Sequence, residues 1–559
     1  MTDRPHGTFV ATSSQDGRFV FYLDDAAGNE LGHVVRVPFE GGRTIDLTPD
    51  LAPYALVGIA LNATGDRLAI TIANADGSRV LVFEDASSEA VASPQVLDDR
   101  QSAVIVEAIS AGGSLVICSA TDPTRGMHLQ ALDWDSGAVR AFLSDGAEAE
   151  LNAVMWSPLL HDSRLLATST RSGFRRPLIW DPVTGKREDL ALDDLPGEVL
   201  PLDWASDGDE ILLVQTVRAI QEIHVHDPTS RTTRLLQTPR GTLGSWGGGI
   251  AFGRPGELVA IWQDSTNPPQ LVALDARTGG LREVLISSSP VPESQSWSSV
   301  SFPSVDGEMI QAWLVTPAAE PPFPTIVHAH GGPDGCVTET FSAESQAWVD
   351  HGYAFLTINY RGSTTFGRNF EHKIYGSPGY WEVEDLAAGR RWLIAEGIAE
   401  PDAVLVAGTS YGGYLALQAL GTRPELWAGG IAVAPIADWI CQAEDASAPI
   451  QDWTRALLGG DPATRRDQYV SSSPIGHAEA VRAPVLIIAG RSDTTVPASG
   501  VERYEARMRS MGRPIEVRWF DGGHVSLVTR PDLLIEHQGW ALEFATRVLA
   551  GDNHGLPRT

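Results

Sequence analysis

A serine between two glycines, Gly408-Thr409-Ser410-Tyr411-Gly412, stands where one sequence texture gives way to another. Before it runs the apolar stretch Ala403-Val404-Leu405-Val406-Ala407, and after it comes Tyr414-Leu415-Ala416-Leu417-Gln418-Ala419-Leu420. That order predicts a buried strand, a sharp turn and a helix, the setting in which a G-x-S-x-G serine is lifted above a sheet as a nucleophile. The small residues let strand and helix close around the turn, and the helix N-terminus favours negative charge developing beside the serine. A Gly-Ser-Gly turn can also be only a turn, so the residues that would activate the serine decide the reading.

Two such residues follow. The apolar run Val485-Leu486-Ile487-Ile488-Ala489 ends in Gly490-Arg491-Ser492-Asp493, which places a carboxylate just past a strand end. The alternating Ile515-Glu516-Val517-Arg518-Trp519-Phe520 leads into Asp521-Gly522-Gly523-His524, which places an imidazole in a glycine-flexed loop. Ser410, Asp493 and His524 therefore keep the order nucleophile, acid, base, with room for strand–helix units between them. Read singly, Asp493 is compatible with a turn former and His524 with a surface loop residue. Their shared order and strand-end placement favour a triad.

An oxyanion site is legible upstream. Pro324-Thr325-Ile326-Val327-His328-Ala329-His330 reads as a strand and runs into Gly331-Gly332-Pro333. A His-Gly-Gly loop after an early strand supplies a backbone N–H to a tetrahedral intermediate, beside the N–H of the residue after the nucleophile. Those donors are expected at Gly332 and Tyr411. His328 and His330 share a strand face and would suit a metal, but no third ligand accompanies them, so neither a metal nor another cofactor is expected.

With these segments assembled, the chain resembles the prolyl oligopeptidase family of serine peptidases, nearest its acylaminoacyl peptidase and aminopeptidase branches. The matching segments are His330-Gly331-Gly332-Pro333, Asn359-Tyr360-Arg361-Gly362-Ser363, Gly408 to Tyr414, Gly490 to Pro497, and Gly523-His524. The resemblance implies an α/β-hydrolase domain, a mostly parallel sheet with helices on both faces, capped by an all-β propeller. It also implies cleavage of short peptides rather than folded proteins. Two departures stand out. The family often carries an Arg two residues after the triad Asp, where this chain has Thr495. The tyrosine that some branches use shortly after the oxyanion loop is absent from Asp334 to Phe341, which favours a hole made of backbone groups.

The first half repeats. Turns containing Gly17, Gly65, Gly113, Gly208 and Gly256 recur at steps of 48, 48, 95 and 48 residues, the long step spanning two repeats. A second mark closes repeats at Asp133 to Gly137, Asp181 to Gly185, Asp227-Pro228 and Asp275 to Gly279. A period of 40 to 50 residues with about four short strands is the sequence sign of propeller blades. Six are expected, with a seventh built from irregular sequence left open, and a β-sandwich as the alternative. The Ser/Pro-rich stretch 287–294 serves as a linker. The expected domains are thus a β-propeller over 1–288 and a peptidase domain over 289–559. In the second, residues 300–314 open the sheet as a hairpin and Leu533 to Leu549 form a covering helix.

Composition bounds the function. The chain has 559 residues and a net charge of −30, which opposes binding to nucleic acid and to anionic membranes. Three scattered cysteines, Cys118, Cys336 and Cys441, fit a reducing cytoplasm, and the N-terminus has no apolar leader. Trp439 and Trp453 are candidates for an apolar wall before the scissile bond, or else core aromatics. Glu444 and Asp445 suit a free amino terminus or a solvated loop. Arg171, Arg175 and Arg176 suit a carboxylate, and Arg361 suits a brace for the site loops. The expected activity is serine exopeptidase action on short peptides from the N-terminus. An esterase or amidase of small molecules and a non-catalytic scaffold are the alternatives. The expected partner is a short peptide or small amide, and a homo-oligomer stays open.

Overall fold

The computed structural model describes residues 4–551 apart from 9, 15, 89–91, 123, 160 and 245–248. Met1, Thr2 and Asp3 lie outside it.

Between Ala11 and Ile286 the described residues form six antiparallel units of four or five strands. The first two are joined where Leu31–Pro38 pairs with Tyr54–Leu61, and the sixth carries five strands. Each unit turns from its first long strand to the next through a short hydrogen-bonded loop. Ser14 N donates to the Phe19 carbonyl, Asn62 to Arg67, Ser110 to Leu115, Ala205 to Glu210 and Gly253 to Glu257. The repeating glycines 17, 65, 113, 208 and 256 sit in these loops with φ of 70° to 82°, a left-handed backbone that explains their type. In the fourth unit the equivalent bond runs from Ser157 to Arg164. Two extra residues there relax the turn, and the glycine mark disappears with it. The second mark is an Asp whose carboxylate accepts backbone N–H groups two or three residues on, as at Asp181 with Val183 (2.9 Å) and Asp275 with Thr278 (2.8 Å).

The second sheet has eight strands: β1 (Ser298–Pro303), β2 (Met309–Val315), β3 (Phe323–Ala329), β4 (Ala354–Asn359), β5 (Ala399–Thr409), β6 (Gly429–Val433), β7 (Val485–Gly490) and β8 (Ile515–Phe520). Their spatial order is β1-β2-β4-β3-β5-β6-β7-β8. The opening hairpin is antiparallel, and every pair from β4 through β8 is parallel. Alternate residues serve opposite faces, as a pleated strand requires. Val327, Val406 and Ile487 enter one core with the helices Trp381–Ala395 and Tyr411–Thr422. Ile326, Leu405 and Leu486 enter another with Ala343–Asp350 and Pro531–Leu549. With both faces covered, the central strands read as unbroken apolar runs.

Candidate active site

The sharp turn after β5 brings Ser410 to the top of the sheet. Ser410 has φ 59° and ψ −120°, a region that L residues avoid, and its N–H donates to the Val433 carbonyl at 2.8 Å. The flanking glycines are required by close approach. A Cβ on Gly412 would lie 2.0 Å from the Ala329 oxygen, and one on Gly408 would lie 2.4 Å from the Gly412 carbonyl carbon.

Two loops converge on the serine. The His524 Nε2 lies 3.0 Å from Ser410 Oγ, and its Nδ1 lies 2.8 Å from Asp493 Oδ2. The other Asp493 oxygen accepts the N–H groups of Thr495 (3.0 Å) and Val496 (2.7 Å), which fixes the carboxylate plane. The loops are tied to each other: Arg491 N donates to the Phe520 carbonyl and Ser492 N to the Gly522 carbonyl, both at 3.1 Å. Burial pushes the His524 pKa down. The Asp493 charge and bond, with the Glu30 charge, outweigh this and hold it above the ordinary histidine value. The three groups that the sequence singled out are thus within proton-sharing distance.

The loop after β3 lies against the turn, a Cβ on Gly331 falling 3.5 Å from Ser410 Cβ. Gly332 is exposed, has φ 124° and precedes a cis peptide to Pro333. Tyr411 opens its helix, where N–H groups have no intrahelical acceptor. His330 stacks on Tyr360 with ring centroids 4.4 Å apart and bonds the Ser363 hydroxyl at 2.8 Å. Burial holds its pKa down to about 4, so it is a neutral brace for the loop. His328 bonds the Thr357 hydroxyl at 3.1 Å. Asn359 grips the far end of the loop, taking the Val337 N–H at 2.8 Å and donating to its carbonyl at 3.0 Å. Arg361 bonds Asp385 on the helix Trp381–Ala395, and Asp306 (2.6 Å) and Ser304 (2.7 Å) in the turn between β1 and β2.

Residues 339–551 match the model of the prolyl oligopeptidase family. Residues 287–383 also match an acetyl xylan esterase model. The mouse acylamino-acid-releasing enzyme is 26% identical over 332 residues, 55% of this chain and 45% of that one. A dipeptidyl aminopeptidase from Pseudoxanthomonas mexicana is 26% identical over 266 residues, 44% of this chain and 38% of its own. The chain spans less than half the length of these curated relatives. Among solved structures, a puromycin hydrolase superposes with a TM-score of 0.82 at 21% identity, over 97% of this chain and 86% of that one. The Pyrococcus horikoshii acylaminoacyl peptidase gives 0.72 at 18%, over 97% and 88%. The shared fold is an N-terminal propeller followed by an α/β-hydrolase domain.

Against the family pattern, several residues have their own placement. Thr495, at the position where the family often carries an Arg, donates its hydroxyl to Glu30 of the first propeller unit at 3.0 Å. Trp439 is fully buried, while Trp453 is partly exposed, their rings 5.9 Å apart and both near the Tyr411 ring. Trp439 therefore has no surface to offer a substrate and can only back a wall made by Trp453. Asp445 accepts from Ser499 at 2.6 Å. Arg171 pairs with Asp189 at 2.6 Å. Arg175 is engaged by the protein's own carboxylates: Glu371 (2.9 Å), Glu150 (3.1 Å) and Glu198 (3.6 Å). Desolvation by the surrounding loops and the neighbouring Glu371 and Glu150 push the Asp334 carboxyl up, next to the Gly331–Pro333 loop, although the residue keeps exposed surface. Glu30, Asp334 and the Glu150–Glu371 group escaped sequence reasoning. They carry no motif and meet only because the propeller folds over the sheet.

Proposed function

We propose that this protein is a serine peptidase that removes residues from the N-terminus of short peptides, with Ser410, His524 and Asp493 as its triad. The observation that carries the reading is the pair of contacts at 3.0 and 2.8 Å linking the three groups at the strained turn. His524 Nε2 takes the Ser410 proton as Oγ attacks the substrate carbonyl, and Asp493 holds the imidazole's tautomer and offsets its charge. The Gly332 and Tyr411 N–H groups receive the oxyanion; losing one such donor costs about 10²–10³ in rate. His524 then gives its proton to the leaving amine, and water, activated by the same imidazole, releases the acyl group. Trp453, backed by Trp439, walls the pocket for the residue before the scissile bond. Asp334, Glu150 and Glu371, with Glu198 held partly neutral by burial at a pKa of about 7, outnumber Arg175 near the oxyanion loop, which favours a free ammonium over a blocked N-terminus. The chain divides between the last propeller strand, ending at Ile286, and β1. The three free cysteines suit a reducing cytoplasm.

A fluorophosphonate probe tests the nucleophile: it should label the wild type at Ser410 and leave Ser410→Ala unlabelled. Paired aminoacyl- and N-acetylaminoacyl-nitroanilides test the direction, with the free-amine substrate the faster. Turnover of neither would end the exopeptidase reading. The esterase-like match over 287–383 supports a second reading, hydrolysis of a small ester or amide. Rapid ester turnover without peptide turnover would select it.

A further inference from the structure

The hairpin between Phe19–Asp25 and Leu31–Pro38 leaves the propeller and ends against both catalytic loops. The Asn29 carbonyl accepts the Thr494 hydroxyl at 2.6 Å, and Glu30 Oε2 accepts the Thr495 hydroxyl at 3.0 Å. A Cβ on Gly523 would lie 2.0 Å from the Gly28 oxygen, so the hairpin tip also seats on the histidine loop. The tip is braced from behind: Glu30 N donates to Asp25 at 2.9 Å, and Asp25 pairs with Arg4 at 2.6 Å.

Glu30 sits there at two costs. Its φ is 61°, unfavourable for a residue with a Cβ, and its Oε1 is buried with no hydrogen-bond partner among the described residues. Leu23, Val57 and Ile450 line the same cavity of about 300 Å³, with Asp25, Ser447 and Thr495 as its polar neighbours. A strained, half-satisfied carboxyl persists when something else depends on it.

We propose that Glu30 is a positioning residue for His524, holding the aspartate and histidine loops in register from the propeller side. The proposal rests on the triad reading above. The charged groups facing Glu30 are His524 and Asp493 across the interface, and Asp25, offset by Arg4, on its own hairpin. Burial pushes the Glu30 carboxyl up, and Asp493 adds to this. The His524 charge, the Thr495 hydroxyl and the Val525 N–H act in the opposite sense. Glu30 in turn raises the His524 pKa beyond what Asp493 supplies. The propeller is thereby part of the catalytic apparatus, and the Arg expected two residues after Asp493 gives way to a hydroxyl that aims this carboxylate.

The test is the pH profile of kcat/KM, whose acid limb reports the free enzyme's imidazole. In Glu30→Gln the limb should move down by about half a unit to one unit, with the plateau about tenfold lower. Glu30→Asp keeps the charge and should leave the limb near the wild-type position. Thr495→Val removes the hydroxyl that favours the carboxylate and should move the limb in the same direction by less. An unmoved limb in folded Glu30→Gln overturns the proposal even if the plateau falls, since a plain structural contact would do that much. If Glu30→Gln does not fold, an unmoved limb in Thr495→Val overturns it. Wild type that resists fluorophosphonate labelling sinks the triad reading itself, and this proposal with it. Labelling with an unmoved limb sinks the Glu30 role alone.

Discussion

The proposed triad of Ser410, His524 and Asp493 is ordinary in its groups; the supports around it are where this chain differs. Glu382 is the sharpest case. It is fully buried, takes the Tyr411 hydroxyl at 2.7 Å and the Gly379 N–H at 3.0 Å, and burial pushes its pKa up to about 7. An acid whose pKa is raised on folding binds its proton more tightly in the native state. Its contribution to stability is complete below the unfolded pKa near 4.5 and is lost as the pH rises through about 7. Glu382→Gln still accepts the Tyr411 hydroxyl but cannot ionise. Relative to the parent it should gain about 2–3 kcal/mol on going from pH 4 to pH 8. Urea midpoints at the two pH values check this; an equal shift at both would mean that folding leaves the Glu382 pKa at its unfolded value.

At the scale of elements, the turn around Ser410 depends on absent side chains. Gly412 faces backbone, the Ala329 and His330 oxygens, which have no slack to yield. Gly412→Ala should destabilise the domain by about 3 kcal/mol, the upper end for overpacking, and should abolish probe labelling. A stable, labelled variant would show that the turn can open without losing the nucleophile. These elements were legible because their signals are local. Strand, glycine turn and helix lie within some 20 residues around Ser410, and the Asp and His loops each follow an apolar run. The propeller period was legible wherever a loop demanded left-handed glycine, and it faded at Ser157–Arg164, where a longer loop removed the demand. What stayed hidden is what the tertiary fold alone brings together. Glu30 lies far from Asp493 and His524 in sequence, and nothing in Asp25 to Leu31 marks it out. Trp439 and Trp453 looked alike as aromatics, and only packing separates the buried one from the one with exposed surface.

For the whole molecule, the two domains meet at several charged points. Besides Glu30 with Thr495, Arg175 pairs with Glu371, and Arg240 with Glu339 at 2.8 Å. On the proposed reading, substrate approaches a molecule of net charge −30 and enters a region where carboxylates outnumber Arg175 beside the Gly331–Pro333 loop. A field of that sign concentrates cations and is screened over about 10 Å at 0.1 M salt. If a free ammonium is what the site receives, raising the salt from about 0.02 to 0.5 M should increase KM severalfold for an aminoacyl-nitroanilide while leaving kcat nearly unchanged. The N-acetyl counterpart carries no charge and should show little change. Parallel salt dependence for both substrates would mean that salt acts on the domain contacts and not on the substrate's charge. In that case the argument for a free N-terminus falls, and with it the preference for aminopeptidase over acylaminoacyl peptidase action.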